Sequence, residues 1–345
     1  MSYTGLLLVS FLNFFPPLII YFLLDGRTLN TRLSMFLGIA FSGAAVFVAS
    51  IMPSPHYAYI SGFFFSITGV FFWTVFNSIF FRYSKEGEYG FKSGLYFLLF
   101  PLSGALFSPL SGIIASHFGY AFFYKTALLA YSLPLILVFY LPESSYKFST
   151  REAVFRIENK ILIFFQGFSG MLGMALIPIF TLYFIFTTLG VGNFFGYLAL
   201  LSALVAVLNS KIRDRLNKKA FFFYLFSFLN SLSYLPIYFL STLFGWQIFT
   251  GINSITSNLA NPFDTALILD TSSLDIDSTM LAREFYLSLG RVVMLALAIL
   301  ILWLSGSFYK VLLATALASI AYPLIAYHKK VYLTPNQSKL GTGQE

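Results

Sequence analysis

Long apolar stretches alternate with short polar joints along the whole chain of 345 residues. A helix needs roughly 20 apolar residues to cross a hydrocarbon core about 30 Å thick. Runs such as LLATALASIAYPLIAY are continuously apolar, whereas membrane strands alternate apolar and polar positions, so the spans are predicted to be helices. Eleven spans are predicted, at residues 4–24, 33–52, 58–81, 93–116, 120–141, 161–188, 193–210, 220–240, 243–266, 284–305 and 307–327.

Composition agrees with an all-α, polytopic membrane protein. Only 10% of the residues are charged, 58% are hydrophobic and the mean hydropathy is +0.81, whereas a soluble domain carries about 25% charged residues. The net charge of +8 is therefore interpreted as a topology signal, and no nucleic-acid partner is predicted. The absence of cysteine excludes disulfides and thiolate metal sites.

The basic residues fix the orientation if the chain simply zigzags. Nineteen of 21 fall on one side of the membrane, Arg283 and Arg291 among them, and only Lys125 and Lys310 fall on the other. The basic side is cytoplasmic by the positive-inside rule. The N-terminus is then predicted outside and the C-terminus inside, in the cell membrane.

One longer joint divides the chain. Residues 142–160 mix both signs of charge between the fifth and sixth spans. The predicted organisation is a bundle of five spans at residues 1–145, a cytoplasmic linker at 146–160, a bundle of six spans at 161–330 and a tail at 331–345.

The joint after the seventh span, SKIRDRLNKK at residues 210–219, is the most charged stretch. A weak echo follows the first span, where Leu29-Asn30 aligns with Leu216-Asn217. Such an echo is typical of two parallel repeats in a transporter.

SKIRDRLNKK resembles the signature loop of the major facilitator superfamily, G-x-L-a-D-R-x-G-R-R. The resemblance covers essentially the whole chain and implies two pseudo-symmetric helix bundles that move a solute by alternating access. In that family the loop is a charged latch at the inner surface. The predicted conformational latch comprises Asp214, Arg215, Lys218 and Lys219, with a degraded first copy at Asp25, Arg27 and Arg32.

Three further motifs fit this resemblance. The fourth span carries Gly104, Ser108, Pro109 and Gly112 in the spacing of an antiporter motif, although a generic bending and packing face remains an equal interpretation. Leu141-Pro142-Glu143 resembles the end of the family's sixth helix. Residues 282–291, AREFYLSLGR, resemble part of its eleventh helix.

The chain also departs from the family pattern. The signature loop should follow a second helix and the family usually has twelve, so a first helix is expected to be missing here, through truncation of the gene model or natural loss.

Acidic residues are predicted in or beside cytoplasmic joints, with one exception. Asp264 lies near the inner end of a span, where it is either a helix cap or the carboxylate of a proton-coupled carrier. Arg283, Glu284 and Arg291 are assigned with it to the inner ends of helices. Without a buried charge elsewhere, a neutral or amphipathic solute held by aromatic contacts is expected.

The ninth predicted span carries a polar stripe at helical spacing. By resemblance it is the tenth helix of the family, which lines the central cavity, and hydrogen bonding between helices is the alternative. Asn13-Phe14 are lesser candidates. The predicted substrate-lining residues are Gln247, Thr250, Ser254, Ser257, Asn258, Asn261, Gln166 and Asn77.

Enzyme chemistry finds no support in the sequence. The three histidines occupy separate joints rather than metal-ligand spacing, and no hydrolase or phosphate-binding motif is present. No catalytic residue, cofactor or metal is predicted.

The sequence thus predicts a monomeric secondary transporter in the lipid membrane. Its partner is a small-molecule solute, with protons as a candidate coupling ion and export as the first expectation. The alternative is a degenerate or truncated paralogue with a scaffold or lipid-handling role.

Overall fold

The protein is almost entirely helical in the computed structural model, which describes residues 2–51, 56–83, 89–141, 143–213, 219–236 and 241–329. Two three-residue strands, β1 (Thr28–Asn30) and β2 (Ser145–Lys147), are the only strands among these residues. The helices are α1 (Tyr3–Leu23), α2 (Thr31–Ile51), α3 (Tyr57–Thr68), α4 (Val75–Arg82), α5 (Tyr89–Leu137), α6 (Thr150–Arg156), α7 (Lys160–Met171), α8 (Ile177–Thr181), α9 (Thr188–Arg213), α10 (Lys219–Ser233), α11 (Leu243–Thr271), α12 (Ile276–Ser305), α13 (Phe308–Ser319) and α14 (Ala321–His328).

The predicted all-α, multi-spanning architecture is confirmed. Each of the eleven predicted spans coincides with helix in the described residues. Eight helical segments among these residues are long and apolar enough to cross a membrane, and one of them, Lys92–Tyr140, contains two predicted spans. The protein is therefore a multi-pass integral membrane protein.

Local sequence explains where these helices break. Gly119, at φ 81° and ψ 163°, divides α5 into two helices, because glycine alone adopts this conformation without strain. Wide π-helical turns at 69–74 and 172–176 join α3 to α4 and α7 to α8. The hydroxyl of Thr74 donates to the Gly69 carbonyl, 3.1 Å away, inside the first of these turns.

The boundaries of α11 and α12 differ from the prediction. α12 begins at Ile276, eight residues before the predicted span, because the Asp275 side chain caps it by accepting a hydrogen bond from the Ser278 N–H at 3.0 Å. α11 continues to Thr271, five residues beyond the prediction. Charged positions assigned to a joint therefore lie within a helix.

The predicted linker is a packed structural element. β2 pairs antiparallel with β1, with Leu29 opposite Tyr146, and the side chains of Tyr146 and Phe148 are fully buried. Burial raises the pKa of the Tyr146 phenol, which therefore stays protonated and donates to the Asp277 carbonyl at 3.2 Å. The linker thus joins the start of α12 to the turn after α1.

The backbones of α7 and α12 are in direct contact at two glycines. A Cβ atom on Gly290 would lie 2.1 Å from the Phe164 carbonyl oxygen, and one on Gly167 would lie 2.3 Å from that of Leu287. Glycine is therefore required at both crossings. This contact fixes the rotation of α12 and hence the direction in which its charged side chains point.

Candidate functional site

Three charged residues lie inside α12 rather than at its end. Arg283 and Glu284 are seven and eight residues from its first residue, and Arg291 is fifteen residues from it in a helix of 30. At 1.5 Å per residue, Arg291 is about 20 Å from either end. The assignment of these residues to the inner ends of helices is therefore wrong for Arg291, because capping at Asp275 moves the start of α12 away from it.

Arg283 and Glu284 form a buried ion pair. Arg283 Nη1 and Glu284 Oε1 are 2.6 Å apart, and the two side chains are 10% and 13% exposed. Arg283 Nη2 also donates to the Thr265 hydroxyl of α11 at 3.3 Å. Asn77 of α4 donates to Glu284 Oε1 at 3.2 Å, so the pair links α4, α11 and α12.

Arg291 lies further along α12, near the middle of the helix. Its guanidinium carbon is 5.1 Å from the centroid of the Phe14 ring, near the middle of α1, a cation–π distance. The side chain is half-buried, and its Nε is buried without a hydrogen-bond partner in the described residues. The expectation that no charge is buried away from Asp264 is wrong, because the Arg283–Glu284 pair is buried.

Polar atoms of the Asn77–Glu284–Arg283 group, and one on α7, also lack partners among the described residues. In the part of the chain that the structure describes, Asn77 Oδ1, Gln166 Oε1 and Arg283 Nε are buried and unsatisfied. The phenol of Tyr96, in α5, lies beside Asn77 and in the field of Glu284 and both arginines. Buried polar groups are normally satisfied, so the cluster has hydrogen-bonding capacity that a small polar guest can use.

A second ion pair lies at the predicted cytoplasmic end of the same contact. The guanidinium of Arg82, the last residue of α4, pairs with the carboxylate of Asp277 at the start of α12, and Arg82 Nε lies 3.3 Å from Asp277 Oδ1. We call the contact of α12 with α1 and α4 the charged seam. Its polar members are Asn77, Arg82, Asp277, Arg283, Glu284 and Arg291.

A different contact joins α5 to α9. A Cβ atom on Gly192 would lie 2.7 Å from the Ser108 carbonyl oxygen and 2.9 Å from Gly112 Cα, and one on Gly196 would lie 2.4 Å from the Pro109 ring. We call this contact the glycine seam, formed by Gly104, Ser108, Pro109 and Gly112 of α5 with Gly192, Gly196 and Ala199 of α9. The motif of the fourth span thus packs against a matching glycine pair on α9.

Asp264 is buried at 4% exposure. Its Oδ1 accepts hydrogen bonds from the Tyr322 hydroxyl at 2.8 Å and from the Ser227 hydroxyl at 3.4 Å. Seven residues of α11 follow it, so the helix-cap interpretation is wrong. The carboxylate lies among α10, α11 and α14, with Arg283 as its charged neighbour.

The polar stripe of α11 is engaged in contacts between helices. Ser254 donates to the Leu198 carbonyl at 2.9 Å, and Asn258 donates to the Ser202 hydroxyl at 2.7 Å. On the other side, Ser257 donates to Asn230 Oδ1 at 2.9 Å. These bonds support the packing alternative for the three residues.

The three remaining residues of the stripe are Thr250, Asn261 and Gln247. Thr250 is buried and donates to the Trp246 carbonyl of its own helix at 2.7 Å, and Asn261 is half-buried. Gln247 lines a groove of about 680 Å³ between α9, α11 and residues 184–187. The structure therefore does not bring the stripe together with the charged seam.

The predicted latch is described only in its first copy. Arg32 Nη1 pairs with Glu143 Oε1 at 2.6 Å, and Asp25 Oδ2 lies 3.4 Å from Arg151 Nε, while the Arg27 carbonyl accepts from the Phe148 N–H at 2.9 Å. This turn is thus bound to the linker. Asp214, Arg215 and Lys218, and the side chain of Lys219, lie outside the described residues.

Sequence reasoning missed the partners of the predicted residues. Arg82 was assigned only to topology, and Tyr96, Asn230, Ser202 and Gly192 were not singled out. The spacing Gly192-x-x-x-Gly196 was an available signal for a close helix contact. The pairing of Arg82 with Asp277 had no such signal, because 194 residues separate the two in sequence.

Neither a family model nor a curated protein matches the sequence. Solved structures do match in fold. The human organic anion transporter MFSD10 (TETRAN) superposes with a TM-score of 0.69 at 15% identity, over 94% of this chain and 82% of that chain. FucP, a major facilitator superfamily transporter in the outward conformation, gives 0.66 at 11% identity, over 95% and 90% of the two chains. A POT family transporter in complex with 5-aminolevulinic acid gives 0.65 at 14% identity, over 96% and 88%.

The chain therefore has the major facilitator superfamily fold, as the sequence predicts. Likeness at this level of identity concerns the arrangement of helices. A shared fold does not define function, which depends on the chain's own site.

Proposed function

We propose that the protein is a secondary transporter that moves a small amphipathic solute across the cell membrane by alternating access between residues 1–145 and 161–330. The observation that carries the proposal is the group of Asn77, Arg283, Glu284 and Arg291, which lies among helices of both halves. We call this group the solute layer. Ionisable groups at such depth are expensive and mark functional sites in membrane proteins. The transporters with this fold support the proposal.

The charged seam supplies the part of the contact that opens and closes. The Arg82–Asp277 pair and the Asn77–Glu284 hydrogen bond both connect α4 to α12 on the predicted cytoplasmic side. Such polar ties exchange with water when the helices separate, because each partner can be hydrated. Breaking them gives the solute layer access to the cytoplasm.

Proton coupling is assigned to Asp264. Its carboxylate is buried and accepts hydrogen bonds from Tyr322 and Ser227, and both hydroxyls can also serve the protonated acid. Its charged neighbour Arg283 belongs to the solute layer. Proton binding at Asp264 therefore changes the field at that layer.

The test is a flux screen in proteoliposomes with and without a pH gradient, covering import and export. The wild type is compared with Arg82→Gln and with a control, Arg156→Gln, whose exposed ion pair with Glu152 lies on α6. The proposal predicts solute-dependent flux that Arg82→Gln reduces and Arg156→Gln leaves unchanged.

A correctly inserted protein that moves no member of a broad solute panel faster than empty liposomes would contradict the proposal. That result would favour the scaffold or lipid-handling alternative.

A further inference from the structure

The charges on α12 do not balance. Arg283 is paired with Glu284 at 2.6 Å, and Glu284 also accepts from Asn77. Arg291 has no carboxylate within ion-pair distance among the described residues, although Glu284 lies close enough to interact through its field. These three side chains together leave one positive charge without a paired anion.

The position of Arg291 makes this imbalance expensive. It lies at the centre of α12 and faces Phe14 at the centre of α1, so it does not reach either membrane surface along its own helix. A guanidinium without a paired anion is expensive at the centre of a membrane helix. A π face offsets only part of that cost.

The surroundings of Arg291 define what can pair with it. Its buried Nε is an unused donor in the described part of the chain, and a guanidinium matches a carboxylate with two parallel hydrogen bonds. The rings of Phe14, Tyr21 and Tyr96 lie near it. Aromatic faces suit an apolar body attached to the anionic group.

We propose that Arg291 is the anion-binding residue of the solute site and that the solute is an amphipathic organic carboxylate. This inference rests on the proposed transport function. It narrows the neutral or amphipathic solute expected from the sequence to an amphipathic anion. The carboxylate pairs with the guanidinium of Arg291, and the organic body lies against the ring of Phe14.

Binding to the full-length protein in detergent tests the inference directly. The probes are benzoate and 1-naphthoate, each compared with its neutral amide, and the readouts are the dissociation constant from calorimetry and the shift in thermal unfolding. The wild type is expected to bind each acid about 10- to 100-fold more tightly than its amide. Equal affinities, or no binding of either acid, would overturn the inference.

Two variants separate charge from folding. Arg291→Gln is expected to lose the preference for the acid while still unfolding cooperatively, and Arg291→Lys is expected to retain part of it because the charge remains. Arg156→Gln serves as the exposed control and should bind like the wild type. An unchanged acid preference in Arg291→Gln would overturn the inference.

The flux screen keeps this result distinct from the transport proposal. Tight acid binding that depends on Arg291 without flux in vesicles would contradict transport and support the anion site. Flux of neutral solutes that is unaffected by Arg291→Gln would support transport and contradict the anion site.

Discussion

The charged seam and the glycine seam both connect the first half of the chain to the second, but they use opposite chemistry. In the glycine seam, α5 and α9 touch through backbone, with Gly192 against Ser108 and Gly112. In the charged seam, α12 meets α4 through one ion pair and one amide hydrogen bond, and it meets α1 through a guanidinium on an aromatic ring. One contact depends on shape and the other on charge.

The difference assigns different tasks to the two seams. Small residues allow helices to pack closely in lipid with no polar group exposed, so the glycine seam favours one well-defined geometry. A buried charge is stabilised when its partner is present and destabilised when the partner is absent. The charged seam is therefore the contact proposed to respond to solute and water. A carrier that alternates needs both properties.

The largest effect is expected when a methyl group is added to the glycine seam. In Gly192→Ala the new Cβ meets backbone atoms of α5 at 2.7 and 2.9 Å, and such overpacking costs about 1–3 kcal/mol. Thermal unfolding in detergent should show a clear loss of stability, and flux should fall. Gly43→Ala, where nothing lies within 4 Å, is the control and should be neutral or slightly stabilising. Equal thermal stability and flux in the two variants would contradict the packing role given to the glycine seam.

Next in size is the ion pair at the cytoplasmic end of the charged seam. Arg82→Gln leaves the Asp277 carboxylate without its partner, and flux is expected to fall about tenfold, equivalent to 1.4 kcal/mol. The exchanged pair Arg82→Asp with Asp277→Arg should recover much of the activity. Recovery is measured by a double-mutant cycle, and strictly additive losses would show that the pair does not act as a unit.

Asp264→Asn is expected to have a more selective effect. The amide oxygen still accepts the Tyr322 hydrogen bond, so folding should persist, but the side chain can no longer bind a proton. Flux measured with and without a pH gradient should become independent of the gradient, while solute counterflow continues. Tyr322→Phe, which keeps the carboxylate, should retain the dependence. A gradient response that survives in Asp264→Asn would exclude it as the coupling residue.

The smallest effect is expected in the polar stripe of α11. Asn258→Leu loses hydrogen bonds to Ser202 and Ser254, and bonds between membrane helices contribute about 0.6 kcal/mol on average. A slight loss of thermal stability with unchanged solute affinity is predicted. A large change in affinity would return Asn258 to the solute site.

The sequence predicts the helices well because an apolar stretch of membrane length has few alternatives. It predicts the break at Gly119 between two spans for the same reason. The site is harder to predict from the sequence. The position of Arg291 within α12 depends on where that helix begins, and that boundary depends on one capping carboxylate, Asp275. Pairings such as Arg82 with Asp277 arise from tertiary packing, and no local pattern encodes them.

The central claim is that residues 1–145 and 161–330 open alternately on the two sides of the solute layer, with the charged seam as the proposed cytoplasmic closure. The chain has no cysteine, so spin labels can be placed at Tyr83 and Ser273 on the predicted cytoplasmic side, and at Phe118 and Phe186 on the other. These four positions are exposed. Electron-electron distance measurements, with and without a transported solute, should show one pair lengthening as the other shortens. Two distances that stay unchanged, or change in the same direction, would contradict the account.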